Sequence, residues 1–357
     1  MKAVRFHGKR DIRVEEVEAP KQAALAADDV LVQPLVCGIC GTDLHEYVSG
    51  AIVTPETPHP YTGAQNPQIL GHEFSAVVMD VGKDIKHVHP GDRVSVQPLI
   101  SPRNDYFGRR GLFHLSPCMA CVGLSWDWGG LGQQAVVKGY NAVPVSDKVS
   151  DVQAALIEPA AVAVYALDRG RVAVGSTVLI SGMGPIGALA LLAAKAAGAS
   201  KIFVSEINPN RLARARELVP DCIPVNPRET NLLEFVRDQT EEGVGVDAAL
   251  ECGGAEASLN ACVDVVRRQG VVVQAGLHSK PASVNPMQWA LKDITIEATW
   301  CYPTQSWPRV ASMIESGNFP VEKVVSSQIS MDDVVEKGFE ALLDPTGNEM
   351  KVLVNVN

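Results

Sequence analysis

Apolar residues follow two rhythms along this chain, and the change between them falls near residue 155. Before it, short Val-rich runs at 30–36, 75–81, 93–99 and 134–137 are separated by Gly and Pro, with tight-turn signals such as PGDR at 90–93. Such punctuated runs predict strands of a barrel-like β domain. After residue 155, strand patterns at 177–181, 201–205, 246–251, 270–275 and 295–299 alternate with helical patterns, an Ala/Leu-rich one at 185–197 and another at 210–219. That alternation predicts a doubly wound parallel sheet. The terminal MKVLVNV predicts a short strand that returns to the first domain. The expected class is α/β, with a β-rich domain from 1–155 and 303–357 around a second domain at 156–302.

Composition narrows the function classes. Of the 357 residues, 46% are hydrophobic and 20% charged, which suits soluble domains with sizeable cores. A net charge of −10 argues against a nucleic-acid partner. The longest apolar stretch, 188–199, is interrupted by Lys195, so no membrane partner is expected. The first twenty residues lack the apolar centre of a signal peptide. The eight cysteines are therefore expected as reduced thiols in the cytoplasm, some of them as metal ligands.

The second half carries a phosphate-binding signature. Gly182, Gly184 and Gly187 form G-x-G-x-x-G between a predicted strand and a predicted helix. The first glycine permits the turn, the second lets a pyrophosphate approach the backbone, and the third lets helix and sheet pack. Pro185 and Ile186 fall in the first helical turn, where proline is tolerated and the helix N-terminus attracts phosphate. Glu206 ends the next strand about twenty positions on, where an acidic residue accepts ribose hydroxyls and repels a 2′-phosphate. NAD is favoured over NADP. The plain alternative for Glu206 is a solvated strand end. Arg211 is near enough in sequence to reach the adenosine ribose, or it lies on a helix surface.

The first half carries metal-ligand types. Two C-x-x-C pairs, Cys37/Cys40 and Cys118/Cys121, lie much further apart than the roughly fifteen to twenty residues of a zinc ribbon. Better partners for a cysteine are His72 and Glu73 in LGHEF, and Glu158 in ALIEPAAVAVYAL. One thiolate, one imidazole and one carboxylate with an open fourth position make a catalytic zinc site. Singly, each has an ordinary reading, as a buried thiol or a solvated polar group.

GICGTDLH, GHEF, PGDRV, the Glu-Pro dipeptide and GMGPIG occur in the order found in zinc-dependent medium-chain dehydrogenases. The resemblance covers nearly the whole chain. Within that family CGICGTDLHEY, the Pro-rich insert 50–67, LGHEF and LIEP resemble the 2,3-butanediol and sorbitol dehydrogenase branch. It implies a GroES-like catalytic domain, a Rossmann domain, and reversible oxidation of a secondary alcohol, a vicinal diol or polyol, with hydride transfer to NAD. It places the metal thiolate on Cys40 and the imidazole on His72, and leaves Glu73 and Glu158 both open as the third ligand. It assigns Cys37 to packing, Thr42 and His45 to proton relay, and Ala275, Gly276, Leu277 and Trp300 to the nicotinamide. Thr42 as a helix cap and His45 as a surface residue are the plain alternatives. Tyr47, Trp126 and Trp300 are candidate pocket walls. The resemblance also implies a homodimer or homotetramer.

One departure is clear. The four structural-zinc cysteines of many relatives fall here on Pro102, Asp105, Gly108 and Ser116, so a single zinc is expected, with Cys118 and Cys121 as thiols of a rebuilt loop. Two other readings stay open: a related enzyme for a larger specialised substrate, and an inactive cofactor-binding protein.

Overall fold

The change of rhythm is a change of architecture. A computed structural model describes residues 1–357. It divides into two units, one of Met1–Glu158, Pro303–Gly317 and Val325–Asn357, the other of Pro159–Tyr302 and Asn318–Val324.

The first unit begins with β1 (Lys2–Gly8), β2 (Asp11–Glu16) and β3 (Asp29–Gly38), then α1 (Gly41–Ser49) and β4 (Gln68–Ile69). β5 (Glu73–Val81), β6 (Arg93–Val96), β7 (Leu99–Ile100), β8 (Ala120–Cys121), β9 (Ala135–Lys138) and β10 (Ala142–Pro144) follow, then α2 (Asp151–Ala155); α3 (Ile157–Arg169) has only its first two residues in this unit, the rest falling in the second. A seven-stranded sheet runs β10-β6-β5-β3 and continues into two C-terminal strands, with β9 also on β3; β2-β1-β4 and β7-β8 are smaller sheets. Alternating Val, Ile and Phe side chains from these strands meet in one apolar core that includes Phe6, Val32, Phe74 and Val94. The run 93–99, read above as one strand, is two. β6 ends at Val96, and Pro98, which has no N–H to donate, precedes the separate β7–β8 ladder.

The second unit contains β11 (Thr177–Ser181), α4 (Pro185–Ala196), β12 (Lys201–Ser205), α5 (Pro209–Leu218), β13 (Ile223–Val225), α6 (Leu232–Asp238), β14 (Val246–Glu251), α7 (Glu256–Val265), β15 (Val266–Gln274), α8 (Pro286–Lys292) and β16 (Thr295–Ala298). All six strands are parallel, in the order β13-β12-β11-β14-β15-β16. That order reverses direction between β11 and β14, the position where doubly wound sheets open a crevice at their carboxyl ends. α4 is buried along most of its length by Ala and Leu, and α5 is started by the Asn208 side chain, which accepts from the N–H groups of Asn210 and Arg211.

In the first unit the chain closes with α9 (Trp307–Glu315), β17 (Ser327–Ser330) and β18 (Val352–Asn355). β18 pairs antiparallel with the end of β3, Leu353 opposite Gly38 and Val354 opposite Cys37. The last strand therefore lies beside the segment that leads to Cys40.

Candidate functional site

Strand pairing assembles the metal-ligand residues of the first unit. β3 and β5 are antiparallel with Gly38 opposite Glu73, so the chain leaving β3 passes beside the chain entering β5. Two residues after β3, Cys40 is the extended N-cap of α1, at φ −95 and ψ 157. Its N–H donates to Asp43 Oδ2 at 2.9 Å. Before β5, Gly71 takes φ +96, and a Cβ there would lie 2.5 Å from Cys37 Sγ. The turn that presents His72 thus needs glycine twice, for its backbone angle and for the room that Cys37 occupies. The ligand atoms of Cys40, His72 and Glu73 all lie within 4.8 Å of one another.

The residues around this triad set its electrostatics. Asp43 is fully buried, with Oδ1 3.5 Å from His72 Nδ1. Burial lowers the His72 pKa, but the charges of Asp43 and Cys40 outweigh burial and raise it well above the ordinary value. Positive charge is therefore favoured at this position, and a bound cation would supply it. His72 Nδ1 and Asp43 Oδ1 are buried without a hydrogen-bond partner of good geometry. A soft thiolate, an imidazole and a carboxylate, converging and incompletely satisfied, fit zinc.

Lys351, just before β18, is the residue that sequence reasoning missed here. Its side chain is 1% exposed; Nζ contacts Glu73 Oε2 and donates to Ile39 O at 3.0 Å. Burial lowers its pKa, but Glu73, Cys40 and, less strongly, Glu158 raise it overall, so the ammonium stays charged. Gly38 makes room for this pair, since a Cβ there would lie 2.2 Å from Glu73 Oε2 and 3.1 Å from Lys351 Cε. Glu158 sits in the first turn of α3, 7% exposed, outside the triad but within electrostatic reach of Lys351. A lone lysine inside the apolar run MKVLVNV was the available signal of a buried charge.

Other predicted positions separate. Thr42 Oγ1 lies 3.8 Å from Cys40 Sγ, and Cys40, not Thr42, caps α1. His45, three residues on, shares the Thr42 face of the helix. Tyr47 is not a pocket wall: it is 5% exposed, its ring packs edge-on to Phe339 at 5.4 Å, and its hydroxyl donates to Glu340 at 2.6 Å. Trp126 is tied to the core by its Nε1, which donates to Val136 O at 2.7 Å. Cys37 is fully buried, and burial pushes its thiol well up. Burial likewise pushes Cys121 up to about 12, and Cys118 is half-buried. Of the positions that replace zinc cysteines, Asp105 accepts from Gly108 N–H at 2.5 Å and from Ser116 Oγ at 2.6 Å, and a Cβ on Gly108 would lie 1.9 Å from Pro102 O. Hydrogen bonds and close contact thus link these four residues.

In the second unit the three glycines differ as the phosphate-turn reading requires. A Cβ on Gly182, at φ +98, would lie 2.7 Å from Gly253 N; one on Gly187 would lie 1.9 Å from Gly182 O; one on Gly184 would meet nothing within 4 Å. Only the middle glycine faces open space. Pro185 opens α4, followed by Ile186. Glu206 is 8% exposed, with Oε2 accepting from Met183 N–H at 2.8 Å and Oε1 from Ile207 and Asn208 N–H at 2.8 and 2.9 Å. A cavity of about 380 Å³ is lined by Gly182, Gly184, Glu206, Arg211, Cys252 and Ser258, among others. Ala275, Gly276, Leu277 and Trp300 lie outside it; Leu277 and Trp300 are 43% and 40% exposed.

Comparison with known proteins agrees with both units. Residues 26–147 match the model of the alcohol dehydrogenase GroES-like domain, and residues 185–316 that of the zinc-binding dehydrogenase domain. The (R,R)-butanediol dehydrogenase of Bacillus subtilis is 35% identical over the full length of both chains. Human sorbitol dehydrogenase is 32% identical over 92% of this chain and 89% of its own. The crystal structure of the Bacillus subtilis 2R,3R-butanediol dehydrogenase superposes with a TM-score of 0.92, covering 100% of this chain and 99% of that one. A GroES-like domain with converging zinc-ligand types, a Rossmann domain with an open phosphate turn and full-length likeness to these enzymes agree: the chain belongs to the zinc-dependent medium-chain dehydrogenase family, in its butanediol and sorbitol dehydrogenase branch.

Proposed function

We propose that this zinc-dependent secondary-alcohol dehydrogenase uses NAD, carries one zinc per chain, and acts on small vicinal diols or polyols. The convergence of Cys40, His72 and Glu73 carries the reading. Zinc, when bound, supplies Lewis acidity toward an alcohol or carbonyl oxygen, and NAD supplies the hydride acceptor. Cys40 and His72 hold the metal, with Glu73 or Glu158 as the third ligand. Asp43 orients the His72 ring, in the manner of carboxylates behind metal-bound histidines. Thr42 Oγ1 accepts the substrate hydroxyl proton as it gives up its own, and the His45 ring relays that proton to solvent.

Substrate size follows the relatives, which are named for butanediol and sorbitol. The choice of NAD rests on Glu206, whose carboxylate is fixed by three backbone N–H groups at the rim of the dinucleotide cavity, where a 2′-phosphate would meet its charge. Arg211 lines the same cavity and makes the comparison with NADP informative. Eight cysteines with no disulfide among them support the cytoplasm as compartment, and no helix is long and apolar enough to cross a membrane. The open edge of β16, with Ile296 39% exposed, supports assembly as a homodimer or homotetramer, which sedimentation tests.

The direct experiment compares kcat/KM with NAD and NADP on 2,3-butanediol and sorbitol, for the unaltered protein and Glu206→Ala. NAD preference that collapses in the variant supports the reading. A preference for NADP, or one that Glu206→Ala leaves intact, contradicts it.

A further inference from the structure

A fully buried and multiply hydrogen-bonded carboxylate of the second unit belongs to no site described so far. Glu251 closes β14 beside the sheet's reversal point and is fully buried. Its Oε1 accepts from Gly253 N–H at 2.8 Å, Gly254 N–H at 2.7 Å and Ser258 Oγ at 2.5 Å. Its Oε2 lies 3.1 Å from His278 Nε2. Its backbone oxygen accepts from Ala275 N–H at 2.9 Å and Gly276 N–H at 2.8 Å. One residue thereby ties the turn 252–254, after β14, to the segment 275–278, after β15.

The two segments also touch through their backbones. A Cβ on Gly276 would lie 2.4 Å from Gly254 N and 2.7 Å from Glu251 Oε2, and a Cβ on Gly254 would lie 2.4 Å from Leu277 O. Cys252, Gly253 and Ser258 line the dinucleotide cavity, so the turn held by Glu251 is one of its walls. A carboxylate in a dry interior is costly unless every lone pair is engaged, and an apolar side chain would fill the space at less risk. His278, meanwhile, stays 17% exposed instead of joining the apolar core of the unit.

We propose that Glu251 and His278 form a clasp that positions the 275–278 segment and the adjoining cavity wall for a nicotinamide dinucleotide. Both are positioning residues; neither takes part in hydride or proton transfer. The proposal rests on the reading of the second unit as the dinucleotide domain. A wall fixed before binding spares the ligand the ordering of that segment, so the clasp acts on cofactor affinity.

The test uses the full-length, zinc-loaded protein with His278→Ala, His278→Gln, Glu251→Gln and the Glu251→Gln/His278→Ala double variant. NADH affinity is read by fluorescence titration, KM for NAD and for the alcohol are measured separately, and Tm is recorded as the folding control. His278→Ala is expected to weaken NADH by roughly tenfold, the scale of one hydrogen bond to a charged group. KM for the alcohol and kcat at saturating NAD hold, and His278→Gln, whose amide nitrogen reaches the place of the ring Nε2, recovers most of the affinity. The double variant falls no further than the worse single one, because the two act as a unit. Unchanged affinity in His278→Ala at unchanged Tm, or no recovery in His278→Gln, overturns the clasp while leaving the dinucleotide reading intact. An unaltered protein that binds neither NADH nor NADPH overturns both. If Glu251→Gln does not fold, the two His278 variants decide the question.

Discussion

Lys351→Met is the substitution whose effect follows most fully from the structure. Lys351 and Glu73 are each 1% exposed, and the ammonium spends its hydrogen bonds on Glu73 and on the carbonyl of Ile39. Methionine matches the length of the side chain and removes the charge, so the metal-free protein is left with an unpaired buried carboxylate. Breaking a buried ion pair from one side costs about 3–5 kcal/mol. In a unit of this size each kcal/mol moves Tm by about 2–4 °C, so the zinc-free variant should melt roughly 6–20 °C below the unaltered protein. Zinc changes the sum, because Glu73 lies in the ligand cluster and a bound cation replaces the lost ammonium. Melting curves with chelator and with zinc should therefore show a larger loss without metal than with it. Glu73→Gln/Lys351→Met should recover much of the loss, since neither charge is then left alone. A zinc-free Tm within 2 °C (about 0.5–1 kcal/mol) of the unaltered protein would refute the reasoning. So would a double variant no more stable than Lys351→Met.

Three further outcomes are expected. His45→Ala should lower kcat by about a hundredfold or more, the usual scale of a general acid or base, and should alter the pH profile while the zinc content holds; an unaltered profile would make His45 a surface residue. Asp105→Ala removes the acceptor shared by Gly108 and Ser116, so limited proteolysis should cut faster between residues 101 and 128, with zinc content and kcat little changed; equal cutting rates would show that this pair of bonds does not hold the lobe. Because Asp43 and Cys40 raise the folded-state pKa of His72 above its unfolded value near 6.5, its stabilisation of the metal-free protein is complete below that value and fades as pH climbs through the raised folded pKa. Zinc binding near pH 7 should accordingly release a proton, measurable by titration in buffers of different ionisation enthalpy, and zinc affinity should fall as pH falls; proton release unchanged in Asp43→Asn would count against this cause.

Local rules made much of the architecture readable. The strands at 177–181, 201–205 and 246–251 and the helix after the glycine turn are governed by local periodicity and by Gly184–Pro185, and they stand where that periodicity placed them. Pro98 split a run that apolar content alone joined, because the missing N–H acts on pairing rather than on hydropathy. What stayed hidden depends on contacts between distant segments. Glu73 meets Lys351 only because β18 returns to β3, and no spacing rule links residues so far apart in sequence. The Glu251–His278 link likewise needs β14 and β15 side by side. Tyr47 stood as a candidate pocket wall, yet the partners that turn it inward, Phe339 and Glu340, come from the far end of the chain.

On the proposed reading Cys40 and His72, with neither Cys37 nor the Cys118/Cys121 pair, organise the metal chemistry. The most direct measurement is zinc per chain by elemental analysis of the unaltered protein, Cys40→Ser and Cys118→Ser/Cys121→Ser, with dehydrogenase activity on the same samples. About one zinc and full activity are expected in the unaltered protein and in Cys118→Ser/Cys121→Ser, and loss of both in a folded Cys40→Ser. Two zincs in the unaltered protein, or zinc and activity that survive Cys40→Ser, would contradict that reading.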